Sequence, residues 1–163
     1  MAFSPDLERE LNKSVRQARL VASTCCFIAP IMYFACIGTQ ALRGQWRLFL
    51  GGFGRLPWAD PRVPGALAAA AVALALSVLL PARLGRLDEP RQALGTLRGR
   101  NLATSGLLVA VAICGLFLGM KLGPPAATLS LCLFLATMAR GWFVFPSEAS
   151  WRAVMAGSAG AGR

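Results

Sequence analysis

Histidine is absent from this chain of 163 residues, and its seven acidic residues, Asp6, Glu8, Glu10, Asp60, Asp88, Glu89 and Glu148, all avoid the long apolar stretches. The first absence removes imidazole metal ligands, haem axial histidines and the commonest general base together. The second leaves no carboxylate to carry a proton or hold sodium at the bilayer centre, which disfavours an ion-coupled pump working alone. Cysteine occurs five times, at Cys25, Cys26, Cys36, Cys114 and Cys132. No two of these form a C-x-x-C pair, and in apolar stretches a thiol behaves as a small hydrophobe. Charged residues make up only 15% of the chain, against about 25% in a soluble domain. No catalytic, cofactor-binding or metal-ligating set is expected, and the chain does not read as an enzyme.

Hydrophobic residues, 56% of the total, are gathered in blocks. A hydrocarbon core about 30 Å thick needs roughly 20 apolar residues at about 1.5 Å of rise each. Four blocks reach that scale: residues 20–42, 65–82, 102–120 and 125–145, the second being the shortest. The expected fold is an all-α membrane protein whose four transmembrane helices, within residues 20–145, form two antiparallel hairpins. The first block is longer than a signal-peptide core and follows a polar stretch without a small-residue cleavage site, so it reads as a retained helix.

Lysine and arginine set the expected orientation. Arg9, Lys13, Arg16 and Arg19, then Arg83, Arg86, Arg91, Arg98 and Arg100, then Arg140, Arg152 and Arg163 place twelve on one side, against five at Arg43, Arg47, Arg55, Arg62 and Lys121. The richer side is expected to be cytoplasmic, with both termini there. A net charge of +10 is thereby explained by topology and anionic lipid, with no nucleic acid as partner. The cluster from Arg83 to Arg100, in a basic inner loop over 83–101, is read first as topogenic, with contact to a lipid headgroup or an acidic partner as the other option. The Ala, Gly, Arg and Leu bias fits a GC-rich genome, hence a bacterial inner membrane, or else an organelle.

Residues 1–19 read as a cytoplasmic amphipathic helix. Ser4-Pro5-Asp6 supplies a capping hydroxyl, a proline at the first position and the first of three acids near the positive end of the dipole. Leu7, Leu11, Val15 and Ala18 form a thin apolar stripe opposite Arg9, Lys13 and Arg16, suited to lying along the membrane surface or to docking on a partner; the surface is the default. The outer loop 43–64 mixes aromatics with arginine, glycine and proline, so Trp46 and Trp58 are expected as interfacial anchors, with a partner-binding surface as the alternative. Trp142 and Arg140 are their counterparts on the inner side, Arg140 snorkelling to the headgroups from one turn inside its span. Residues 146–163 are read as a cytoplasmic tail whose end, rich in Gly, Ala and Ser, is expected to be disordered.

The spans carry packing chemistry. Gly115 and Gly119 form a G-x-x-x-G, with Gly106 and Ala110 continuing small residues upstream, and Ala68 to Ala71 smooth the second span. These faces can close the chain's own bundle or meet another subunit. Span hydroxyls such as Ser130 and Thr137 can bond carbonyls locally or across helices. A shift of 81 residues places Arg19 over Arg100, Ala29 over Ala110 and Gly38 over Gly119, a weak internal repeat.

Two small-residue-rich hairpins with Arg19 and Arg100 entering the odd-numbered spans resemble the duplicated proteolipid, subunit c, of rotary ATPases, and small four-span bacterial membrane proteins of unassigned function that share its outline. The likeness covers roughly residues 16–145 and rests on layout. That family's ion carriage implies a mid-membrane carboxylate. The second and fourth spans contain neither Asp nor Glu, so the role passes to no residue and the likeness implies fold alone. The expected function is a non-catalytic subunit, assembly factor or scaffold of a larger membrane complex, partnered by lipid and by other integral membrane subunits or itself. The alternative is a small oligomeric channel or carrier lined by span hydroxyls.

Overall fold

A computed structural model describes residues 4–44, 58–82 and 90–161. The elements are α1 (Pro5–Ser23), a π-helical turn (Thr24–Ile28), α2 (Ala29–Gly44), α3 (Arg62–Ala82), α4 (Pro90–Leu122), α5 (Pro124–Val144) and α6 (Glu148–Ala161). Among the described residues every regular element is helical, and four helices are long and apolar enough to cross a membrane. The chain is an integral membrane protein on that basis.

Local chemistry accounts for where the helices begin. Ser4 Oγ accepts from the Leu7 backbone N–H at 3.4 Å ahead of Pro5, so α1 starts with the expected cap. Asp60 Oδ1 accepts from the Arg62 N–H at 2.9 Å to open α3. Gly123, at φ 70°, is the single residue between α4 and α5, and that left-handed conformation favours glycine. Before α6, Ser147 Oγ accepts from the Ser150 N–H at 3.1 Å, a further capping hydroxyl.

The first helical run passes from α1 to α2 without a break, through the wide turn at Thr24–Ile28. Pro30 has no N–H to donate to the Cys26 carbonyl four residues back, and its ring crowds that oxygen. The backbone widens by one residue there, with the Ala29 N–H bonding to the Thr24 carbonyl.

Helix α4 is the centre of the molecule. It packs against α1, α2, α3, α5 and α6, which suits a helix apolar on every side of its membrane half. One of its faces places Val111 and Leu118 with Val63, Ala70 and Ala73 of α3 and Leu133 of α5. Another places Ala112 with Ile37 of α2 and Ala127 and Phe134 of α5, where Tyr33 and Phe34 set their rings against Phe134 at centroid distances of 6.4 Å. Against α5, Leu108 meets Thr137 and Gly119 meets Ser130, so the two helices run antiparallel. The first and second spans do not pair in this way among the described residues: α2 leans on α4 and α5, while α3 leans on α4. Toward α2, helix α4 presents the small residues Ala112 and Gly119, whereas toward α3 it presents Val111 and Leu118 against the alanines of that helix.

At one end of the bundle the helices outrun the apolar blocks and form a second core. Leu11, Val15 and Ala18 of α1, Ala93, Leu94 and Leu97 of α4, and Trp151 and Met155 of α6 are buried together. This corrects three expectations. The stripe on α1 docks within the chain instead of lying along the membrane surface. The basic stretch read as a loop over 83–101 is helical from Pro90, because Pro90 opens a helix whose Ala93, Leu94 and Leu97 have a partner face. The end of the tail, expected to be disordered, is helical through Ala161, since Ser147 caps that helix and Trp151 and Met155 anchor it. Each fully buried large apolar side chain contributes about 1.5–3 kcal/mol, which is enough to hold short helices that would fray alone.

Candidate functional site at the basic end of the bundle

Polar side chains tie the extramembrane core to the spans. Arg98 Nε donates to Ser14 Oγ at 2.8 Å, and its Nη2 reaches the same oxygen. Ser14 Oγ in turn donates to the Glu10 carbonyl. Asn101 Nδ2 donates to the Ala18 carbonyl at 3.2 Å, and Arg19 Nε donates to the Pro146 carbonyl at 3.1 Å. These bonds join α1 to α4 and to the link between α5 and α6. The Glu148–Arg152 pair on α6 is exposed at both ends and adds little.

Between α4, α5 and α6 lies a cavity of about 350 Å³, lined by Arg100, Asn101 and Thr104 from α4, Arg140 from α5, Phe145 from the link and Trp151 from α6, among others. None of its lining residues is acidic. Arg100 and Arg140 are close enough for their charges to repel. Arg140 Nη2 donates to the Ser77 carbonyl of α3 at 2.9 Å, but its Nε is buried without an acceptor. Arg140 is thereby tied to α3 and also lines the cavity. A second, apolar hollow of about 380 Å³ adjoins, lined by Ser23, Phe27, Trp142 and Phe145. Phe145 borders both, and its ring meets Phe27 edge-on at 6.2 Å.

The other sequence-derived candidates are distributed as follows. Arg83, Arg86 and Trp46 lie outside the described residues. Trp58 and Trp142 are 61% and 75% exposed. Arg91 and Arg98 line a shallow hollow with Glu10, on a different face of α4 from Arg100. The basic cluster is thus divided between two sites. Gly115 and Gly119 are buried: a methyl group on Gly115 would stand 2.9 Å from the Phe134 ring and 3.2 Å from the Ser130 carbonyl oxygen, and one on Gly119 would stand 2.5 Å from Ile37 Cδ1. Gly106 and Ala110 are exposed, and a methyl on Gly106 would meet nothing within the chain. Positions matched by the 81-residue shift differ in surroundings as well, since Gly38 has open space where Gly119 is crowded.

Sequence reading missed Gly141, whose missing methyl makes room for Cys26 of the π-helical turn, with Sγ at 3.2 Å from where a methyl would sit. It missed the meeting of Arg100 and Arg140 as well. An arginine inside an apolar span was the available signal, but its partner lies on another helix. Among the described residues no group of His, Cys, Asp and Glu could hold a metal ion. No protein family, curated protein or solved structure matches the chain.

Proposed function

We propose that this chain is a non-catalytic integral membrane subunit, a scaffold or assembly factor that joins another membrane protein through helix α3. The carrying observation is the one-sided attachment of α3. Val63, Ala70, Ala73 and Ser77 form a narrow seam on α4, whereas Gly65, Ala68, Val72, Ala75 and Leu79 on the opposite face are exposed. Small residues on an exposed transmembrane face let a neighbouring helix approach closely while offering lipid chains little contact. The occupant proposed is a transmembrane helix of a different integral membrane subunit.

The α4 and α5 pair forms the hairpin core of this reading, in a bacterial inner membrane, with the basic end and both termini in the cytoplasm by the positive-inside tendency. The carrier reading gains no comparable support. Ser130 and Thr137, which it would place along a pore, are buried and donate to the Ala126 and Leu133 carbonyls of their own helix at 3.0 and 2.9 Å.

The test is native mass spectrometry of the tagged protein purified from its own membranes in mild detergent. A stoichiometric second membrane protein, lost when Ala68→Trp and Ala75→Trp are introduced while the thermal transition is kept, is the expected result. A single copy alone, or a homo-oligomer indifferent to those changes, overturns it.

A further inference from the structure

We propose that the cavity between α4, α5 and α6 is a binding site for the phosphate group of an anionic phospholipid. This goes beyond the subunit reading and does not rest on it.

The charge arrangement asks for an anion. Two arginines from separate helices, Arg100 and Arg140, line one cavity whose lining contains no carboxylate. They repel one another as they stand, and an anion between them converts that repulsion into two attractions. Arg140 Nε is a buried charged donor with no acceptor, so the guanidinium is incompletely paired by the fold itself. Arginine is the side chain whose planar fork of donors matches phosphate geometry.

The surroundings specify a lipid as the source. Arg140 lies one turn before the end of α5, at the depth where headgroups sit. The cavity, at about 350 Å³, is of ligand-binding size. The apolar hollow of Phe27, Trp142 and Phe145 shares Phe145 with it. A phosphate between Arg100 and Arg140 can thus keep its glycerol and upper acyl chain against aromatic rings, among them the exposed Trp142. A soluble phosphate would make no use of that second hollow.

The experiment uses the full chain in detergent, titrated with phosphatidylglycerol or phosphatidylcholine and read by native mass spectrometry, with inorganic phosphate and glycerol 3-phosphate titrated separately against the thermal transition. The expected result is one phosphatidylglycerol retained in preference to phosphatidylcholine, with affinity reduced about fivefold in Arg100→Gln, the scale of one basic residue at a membrane surface. Arg100 is chosen because no hydrogen bond of the fold depends on its guanidinium among the described residues. Arg91→Gln, which removes an equal charge outside the cavity, should leave retention unchanged. Equal retention by Arg100→Gln and the parent protein overturns the proposal, as does an equal loss in Arg91→Gln. Stabilisation by inorganic phosphate or glycerol 3-phosphate that matches phosphatidylglycerol overturns the assignment to lipid.

Discussion

Arg140 donates to the carbonyl of Ser77 at 2.9 Å, and that carbonyl is the one Pro81 leaves without a helical donor. Proline has no N–H, so the bond from residue 81 back to residue 77 cannot form within α3. Ser77 is fully buried in the bundle, so that oxygen has no water to turn to. An arginine from α5 fills the place, which ties the end of α3 to a helix it otherwise barely touches. The same side chain thereby serves two purposes, capping one helix and lining the cavity shared with Arg100.

Arg140→Leu should therefore lower stability by about 1–2 kcal/mol, the scale of a strong intramembrane hydrogen bond. Pro81→Ala restores an N–H at the right place and should recover part of that loss in the double variant. Thermal unfolding in detergent, followed by circular dichroism, gives the four values of the cycle. Strictly additive losses would show that Arg140 and the Ser77 carbonyl are not coupled.

Glycines of α4 should divide by what faces them. Gly115→Ala pushes a methyl onto a ring and onto the Ser130 backbone oxygen, and the backbone cannot step aside, so a loss of about 1–3 kcal/mol is expected. Gly119→Ala presses mainly on the end of Ile37, a side chain able to rotate, and should lose less. Gly106→Ala meets open space and should be neutral or stabilising by up to about 1 kcal/mol through helix propensity. A uniform response across the three would contradict the packing described.

Much of this architecture was legible in composition and period. Blocks of apolar residues pointed to four helices long enough to span, because bilayer thickness fixes how many residues are needed, although the first and third helical runs begin well before their blocks. The start of α1 followed from Ser4 and Pro5, whose effects are local. What escaped notice depends on contacts between distant segments. Leu11 carries a stripe that suits a lipid surface and a protein groove equally, and only the positions of Leu94 and Trp151 decide between them. Gly141 looks like part of an aromatic belt until Cys26 is brought against it. Arg100 was visible as one charge in a basic run, but its separation from Arg98 arises from helical geometry, which turns neighbours two apart to different faces.

Gly141→Ala should be among the more damaging small changes in α5, because the added methyl overlaps Cys26 where the backbone is already widened by Pro30. A loss of about 1–3 kcal/mol is expected, the range for overpacking a fitted site. Cys26→Gly removes the opposing carbon and should suppress most of the effect, despite the helix propensity it gives up. Unfolding midpoints of the two single variants and the double would show the rescue. A double variant no better than Gly141→Ala alone would mean that the two residues do not meet.

The extramembrane core makes a prediction that separates it from a helix resting on lipid. Leu11 is fully buried beside α4 and α6, and truncating such a side chain costs about 2–5 kcal/mol. Opening of α1 in Leu11→Ala should expose Lys13 and Arg16 to trypsin, and a change of even about 2 kcal/mol raises the open population roughly thirtyfold. Met155→Ala, on α6, should sensitise the same peptide bonds, because both side chains sit in one cluster. If α1 were held by lipid, Met155→Ala would leave cleavage at Arg16 unchanged and cleavage in Leu11→Ala would depend on the lipid supplied. Cleavage rates measured in detergent, with the products identified by mass, distinguish the two. Accelerated cutting in both variants, with less than multiplicative effects in the double, is the outcome a shared core requires.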